Sequence, residues 1–171
     1  MKILHFIPIC NGSARFGINN FQILLTDKKI YAIDLGSNHN IAIGEIGAGL
    51  LGPIGNFASK LISDKLDSNS KDKGIKVLQE NLTEDYLDEE IAKSKYSWST
   101  EYKSIFSFKF KIGTMIEIPS AIIGLSKKEL KFINFNNDSD RAAVLHIIEE
   151  KAPNLTIKRL TSWGFSKIYR K

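Results

Sequence analysis

Cysteine is almost absent from the chain, since Cys10 is the only one in 171 residues. No intrachain disulfide can form, and no cluster of thiolates can hold a metal ion. The three histidines, at positions 5, 39 and 146, are scattered without the paired spacing of a zinc site. We expect neither a metal nor a cofactor, and the scarcity of cysteine is typical of a reducing cytoplasm.

The patterns that nucleophilic catalysis requires are also missing. No serine occupies a G-x-S-x-G turn. Cys10 and His5 lie five positions apart in an extended run, so their side chains point to opposite faces and do not pair as nucleophile and base. The acidic residues between Glu80 and Glu90 indicate a solvated helix face rather than catalytic carboxylates. We therefore predict that the protein is not an enzyme.

Long uninterrupted apolar runs are absent as well. The first segment, MKILHFIPIC, has a short apolar core that contains His5 and Pro8, which favours a first β-strand over a secretory signal. Its apolar run is bounded by the turn signal NGS and predicts a strand covered on both faces. Residues 41–62 read IAIGEIGAGLLGPIGNFASKLI, but Glu45 and Lys60 interrupt them. Because a charged side chain near the bilayer centre costs about 2.5–3.5 kcal/mol, we do not expect a membrane span. We interpret the segment as a glycine-rich loop that leads into an amphipathic helix near residue 54.

The glycines of that segment allow a second interpretation. The stretch GAGLLG, residues 47–52, matches G-x-G-x-x-G between a strand-like run and a helical pattern, as in nucleotide-binding folds. Two features disfavour a phosphate site. Glu45 would be buried in the central strand, and Glu80 follows the glycines later than the usual ribose-binding acid. A nucleotide-binding enzyme of the Rossmann type is therefore the alternative to the non-enzymatic interpretation.

Strand-like patterns stand at both ends of the chain. Residues 21–25 and 30–33 predict a hairpin around the turn TDKK. From Tyr96 to Ile112 the apolar period shortens toward two, and the runs TMIEI, AIIGL and ELKFINF follow.

Helical patterns lie between and after these strands. Apolar residues recur at helical spacing after residue 54 and again from Val77 to Ile91, where Asn81 or Thr83 could cap the helix. The stretch NNDSDRAAVLHIIEEKAP begins with helix-capping residues and ends near Pro153 as a stop, which predicts a closing helix. Its broad apolar face is formed by Val144, Leu145, Ile147 and Ile148. The order predicts a mainly β (α+β) fold, a small antiparallel barrel or sandwich with a helical insertion and a C-terminal capping helix.

Acidic residues are absent from residues 155–171, which hold five basic ones, so the rest of the chain carries 19 basic and 19 acidic side chains and is neutral. We predict a basic and aromatic tail at residues 154–171. Its candidate contact residues are Lys158, Arg159, Trp163, Phe165, Lys167, Tyr169 and Arg170. Such a mixture suits an anionic membrane surface, and it also suits single-stranded nucleic acid. Alternatively, the aromatic side chains pack back on the body.

Two short motifs resemble the pleckstrin-homology-like domains of bacteria and archaea, which are related in style to the GRAM group. The first is Leu25-Thr26-Asp27-Lys28-Lys29 in the predicted hairpin, and the second is Tyr102-Lys103-Ser104-Ile105. The resemblance covers about residues 20–152. It implies a curved barrel or sandwich of seven antiparallel strands, closed at one end by a C-terminal helix. It also implies binding of proteins or membrane lipids, with no shared catalytic residues.

These observations predict one domain at residues 1–153, with a glycine-rich helical insertion at about 40–94, followed by the tail. The predicted function is that of a non-enzymatic binding module, cytoplasmic or peripheral to the membrane, whose partner is a protein or an anionic membrane surface. Nucleic-acid binding through the tail is a further alternative.

Overall fold

A computed structural model of the protein describes residues 1–14, 17–36, 79–80, 82–115, 117–161 and 166–170. The stretch GAGLLG, the helical pattern that follows residue 54, and the tail residues Trp163 and Phe165 lie outside these ranges.

The described residues form nine β-strands, two α-helices and one short 3₁₀ turn. In chain order they are β1 (Ile3–Ala14), β2 (Gly17–Thr26), β3 (Lys29–Gly36), α1 (Glu84–Lys93), β4 (Trp98–Glu101), the 3₁₀ turn (Tyr102–Ser104), β5 (Ser107–Lys111), β6 (Ser120–Gly124), β7 (Leu130–Asn134), α2 (Asp138–Lys151), β8 (Ile157–Leu160) and β9 (Ser166–Arg170). The prediction of a mainly β fold is confirmed.

The strands form one sheet in the order β4-β3-β2-β1-β7-β6-β5-β8-β9. Neighbouring strands from β1 to β7 are all antiparallel. After α2 the chain returns to the sheet as β8, which pairs with β5 in parallel, and β9 then pairs with β8 antiparallel. Among the described strands, β4 and β9 stand at the two ends, so the sheet is not closed.

Strand β1 carries buried side chains on both faces, as its apolar sequence predicted. On one face, Ile7 packs into the main core with Phe108 and with Ile148 of α2. On the other face, Phe6 packs with Leu87 of α1 in a second, smaller core. A sheet covered on both sides at β1–β3 accounts for the nearly continuous apolar sequence of these strands.

Two local expectations differ from the structure, and packing explains both. The stretch Asn11-Gly12-Ser13 continues β1 instead of ending it, since a Cβ on Gly12 would lie 2.8 Å from the Phe21 ring and 2.9 Å from a backbone oxygen of β7. Tyr102 begins a 3₁₀ turn instead of a strand, because its buried hydroxyl donates a hydrogen bond to the carbonyl of Thr26 at 2.8 Å.

Both α-helices begin at side-chain caps. Thr83, one of the two caps that the sequence offered, accepts a hydrogen bond from the N–H of Tyr86 at 3.2 Å, and α1 follows. Asn137 accepts one from the N–H of Asp140 at 2.8 Å, and α2 follows. Helix α2 ends at Lys151, shortly before the predicted stop, and buries the apolar face expected of it, namely Val144, Leu145, Ile147 and Ile148.

Candidate functional site

The candidate contact residues of the tail lie on the last two strands of the sheet. Lys158 and Arg159 belong to β8, and Lys167, Tyr169 and Arg170 belong to β9. Strand pairing places Arg159 opposite Lys167. The structure thus brings the basic residues together on one hairpin, the β8–β9 hairpin.

This hairpin is fixed to the body through Phe110 of β5. The rings of Tyr169 and Phe110 meet edge to face, with their centroids 5.0 Å apart and an interplanar angle of 88°. Tyr169 is nevertheless 53% exposed, whereas Phe110 is 1% exposed. One aromatic side chain of the tail therefore packs on the body, as one of the sequence alternatives proposed.

Phe110 also contacts the buried Arg141 of α2, whose guanidinium carbon lies 5.3 Å from the ring centroid. Arg141 binds Asp138 through two hydrogen bonds of 2.7 and 2.9 Å. This pairing lowers the pKa of Asp138, and the N–H of Gly113 contributes by donating to the same carboxylate at 3.1 Å. The hairpin, β5 and the start of α2 are thus joined by a continuous set of contacts.

The parallel pairing of β5 and β8 decides which loops meet. Because the two strands run in the same direction, the connection after β5 and the connection after β8 leave the sheet at the same end. A cavity of about 360 Å³ lies between them. Its walls come from both sides: Lys111, Ile112, Thr114 and Glu117 on one side, and Arg159, Leu160, Thr161 and Lys167 on the other.

The described residues Thr114, Met115, Glu117 and Ile118, which we call the apolar loop, lie in the connection between β5 and β6. Met115 is fully exposed and Ile118 is 64% exposed. The sequence pattern TMIEI predicted a strand, but the described residues of the loop lie outside any strand. Sequence reasoning missed the exposure of Met115 and Ile118, although the flanking Gly113 and Pro119 are residues that often bound a loop.

The apolar loop is braced at its base. Glu117 accepts a hydrogen bond from the N–H of Thr114 at 3.0 Å through its carbonyl, and its carboxylate pairs with Lys111 at 2.9 Å. Gly113 packs so closely on the Pro119 ring that a Cβ there would lie 2.8 Å from it. These contacts join residues next to Met115 and Ile118, whose own side chains are exposed.

The positive charge beside the loop is only partly neutralised. Lys111 pairs with Glu117, but Arg159 and Lys167 form no ion pair with any acidic residue in the described part of the chain. Both side chains are exposed. Two cations that have no ion pair within the described ranges therefore share a cavity with Thr114 and Glu117 of the apolar loop.

A row of residues also crosses the outer face of the sheet, away from the main core. Strand register aligns Phe132, Ile122, Lys109, Lys158 and Ile168 across five strands. Phe132 is 44% exposed and Ile168 is 58% exposed. Lys109 and Lys158 lie side by side in this row, and neither pairs with a described acid. The outer row, as we call it, extends the mixed basic and apolar surface of the hairpin.

Other chemistry is not assembled in the described residues. They contain no group of three or more potential metal ligands, and neither described helix has the length and apolarity of a membrane-spanning segment. Cys10 is buried, and this burial together with the charge of Asp140 raises the pKa of its thiol, so the reactive thiolate is disfavoured.

Comparison with known proteins leaves the family open. No protein-family model matches the sequence, and no curated protein matches it either. The resemblance to pleckstrin-homology-like domains therefore remains a prediction.

Proposed function

We propose that this chain is a non-enzymatic binding module that docks on an anionic membrane surface through the apolar loop and the β8–β9 hairpin. The observation that carries the proposal is the exposure of Met115 and Ile118 in the β5–β6 connection, whose residues Thr114 and Glu117 line one cavity with Arg159 and Lys167. Apolar side chains at a loop tip enter the acyl boundary, while cations behind them meet acidic headgroups.

The contributions of these four side chains to the free energy of membrane binding can be summed. Full burial of an apolar side chain of this size contributes about 1.5–3 kcal/mol. Each lysine or arginine near an anionic surface contributes about 1 kcal/mol at physiological ionic strength. Met115, Ile118, Arg159 and Lys167 together therefore supply about 5 kcal/mol or more, before the remaining cations of the tail are considered.

The surroundings of Tyr169 favour a membrane over single-stranded nucleic acid. Nucleic-acid binding through the tail needs aromatic faces on which bases can stack. Tyr169, the aromatic residue in the described part of the tail, packs edge to face with Phe110, and the exposed apolar side chains of the β5–β6 connection are the aliphatic Met115 and Ile118.

The proposal includes a pleckstrin-homology-like fold. Six antiparallel strands, β2–β7, lie within or overlap the range of the resemblance and precede the helix α2, and β1 before that range brings the number of strands to the seven that the resemblance implies. The two motifs that carry the resemblance also contact each other, since Tyr102 donates to the carbonyl of Thr26. Thr26 in turn closes the hairpin by accepting from the N–H of Lys29 at 3.0 Å. The extra strands β8 and β9 are additions to that plan.

Charge reversal beside the apolar loop tests the membrane proposal. The double variant Arg159→Glu/Lys167→Glu is expected to reduce binding to vesicles of phosphatidylcholine and phosphatidylserine by about thirtyfold or more, because two cations worth about 1 kcal/mol each are lost. Flotation of vesicles over a range of protein concentrations measures the partition coefficient. The parent protein is expected to release from these vesicles as salt is raised and to bind phosphatidylcholine alone weakly.

A matched variant tests whether the effect of charge reversal depends on its position on the surface. Lys103→Glu/Lys127→Glu changes the net charge by the same amount at the other end of β5, where both side chains are exposed. It is expected to bind anionic vesicles within about threefold of the parent protein. Equal losses in the two variants would show that binding depends on total charge and not on this surface.

A further inference from the structure

A second cavity, of about 770 Å³, lies at the opposite end of β5 from the apolar loop. It is bordered by residues 102–106, by the β6–β7 turn at 125–127, and by residues 151–156, which lead from α2 to β8. We call it the β5 groove. Phe106 at the groove is separated from Ile112 near the apolar loop by roughly 20 Å along the strand, at about 3.3 Å per residue. The two surfaces are therefore distinct.

The groove has an apolar floor. Ile105 and Ala152 are buried in it, and Leu125 and Leu155 are partly buried. Phe106 stands at its side with 57% of its surface exposed. A large apolar side chain that enters the groove would pack against the Phe106 ring, and both side chains would lose solvent-exposed surface.

The lining is basic. It includes Lys103, Lys127 and Lys151 and no aspartate or glutamate. Lys103 and Lys151 are paired with neighbouring acids outside the lining, at 2.8 and 2.9 Å, whereas Lys127 forms no ion pair with an acid in the described ranges. Lys127 is thus available to an acidic ligand, and the other two lysines are held in solvent-accessible ion pairs, which are weak enough for an acidic ligand to replace.

The distribution of polar groups favours an extended ligand over a small anion. A small-molecule site usually has a few buried polar groups that converge on the ligand. In the lining of the groove only Tyr102 is both polar and buried, and its hydroxyl already donates a hydrogen bond to the carbonyl of Thr26. The lysines are dispersed along the rim, as suits a ligand that carries several separate carboxylates.

We propose that the β5 groove binds an extended segment of a partner protein. In this segment a large apolar side chain sits beside Phe106, and acidic residues on either side of it meet Lys103, Lys127 and Lys151. The module would then hold a protein at one end of β5 and a membrane at the other. The groove is independent of the proposed membrane surface and can be tested separately.

Selection of peptides from a random heptapeptide phage library, with the full chain as the target, tests the chemistry of the partner. Phages that also bind the Phe106→Asp variant are removed by counter-selection. We expect the enriched peptides to carry an aromatic residue or leucine flanked by aspartate or glutamate. Because Phe106 is more than half exposed, Phe106→Asp is expected to keep the melting temperature of the parent protein, which thermal unfolding checks.

Fluorescence anisotropy with the most enriched peptide then measures the contribution of each side chain. Phe106→Asp is expected to weaken binding about tenfold or more, and Lys127→Glu about threefold. A variant at the other end, Met115→Asp/Ile118→Asp, is expected to bind the peptide as the parent protein does.

Three results would overturn the proposal: no enrichment over the counter-selection, enriched peptides without acidic residues, or equal peptide affinity in the Phe106→Asp variant. Loss of vesicle binding in Phe106→Asp would also overturn it, since the groove would then be a lipid site. Intact peptide binding in a protein that binds no vesicle would support the groove and contradict only the membrane proposal.

Discussion

Replacement of Met115 and Ile118 together by aspartate is expected to lower partitioning onto anionic vesicles by about two orders of magnitude. Each side chain contributes roughly 1.5 kcal/mol when it moves from water into the interface, so the pair accounts for about 3 kcal/mol. Two added negative charges lower the affinity further. Both side chains are exposed in the free protein, so the free energy of unfolding should change by less than about 1 kcal/mol. Vesicle flotation and thermal unfolding measure the two quantities.

A matched control separates the apolar loop from exposed apolar residues in general. Phe106 and Leu130 are 57% and 46% exposed and lie away from the loop. Phe106→Asp/Leu130→Asp introduces the same two charges and is expected to retain vesicle binding within about threefold. If the loop variant binds as tightly as the parent protein, or if both variants lose binding equally, the apolar loop is not the membrane contact.

Phe110→Ala is expected to destabilise the protein by about 3–5 kcal/mol, the range for truncation of a buried phenylalanine. Phe110 is 1% exposed, and its ring contacts Tyr169 of the hairpin and Arg141 of α2. The loss is a large share of the roughly 5–15 kcal/mol that stabilises a typical domain. Urea unfolding followed by circular dichroism gives the free energy of unfolding.

The partners of Phe110 provide an internal check on the role assigned to it. Tyr169→Ala alone is expected to cost only about 1 kcal/mol, because the side chain is half exposed and the edge-to-face pair contributes about 0.5–1.5 kcal/mol. In the double variant with Phe110→Ala the two effects should be less than additive. Strict additivity would mean that the hairpin is not held by this contact, and a cost below about 1 kcal/mol for Phe110→Ala would contradict its place in the core.

The elements that the sequence predicted well are those whose pattern is local. Helix α2 has a cap at Asn137, a broad apolar face and a proline shortly after its end, and each signal lies within the helix or next to it. The β2–β3 hairpin is similar, since apolar runs flank a polar turn that Thr26 closes. The nearly continuous apolar sequence of β1 also predicted that side chains on both faces of this strand are buried.

The elements that escaped prediction depend on distant contacts. The pairing of β8 with β5 joins Ile157 to Phe108 across β6, β7 and α2, and no local pattern specifies such a parallel neighbour. The basic residues of the hairpin were identified from composition, but their position beside the β5–β6 connection follows only from that pairing. Met115 and Ile118 were assigned to a strand because an apolar run is normally buried, whereas here both side chains are exposed in a loop.

An environment-sensitive fluorophore tests directly whether the apolar loop, and not the opposite end of β5, contacts the membrane as proposed. Cys10 is 1% exposed and its thiol pKa is raised by burial, so a thiol-reactive dye should label only an introduced cysteine. Two single-cysteine additions, Met115→Cys and Lys103→Cys, place the dye at the apolar loop and at the β5 groove.

With vesicles that contain phosphatidylserine, the dye at position 115 is expected to shift its emission to the blue and to gain intensity, whereas the dye at position 103 should keep its emission in water. Neutral vesicles should leave both spectra nearly unchanged. A blue shift at position 103 without one at position 115, or no shift at either position, would contradict the account.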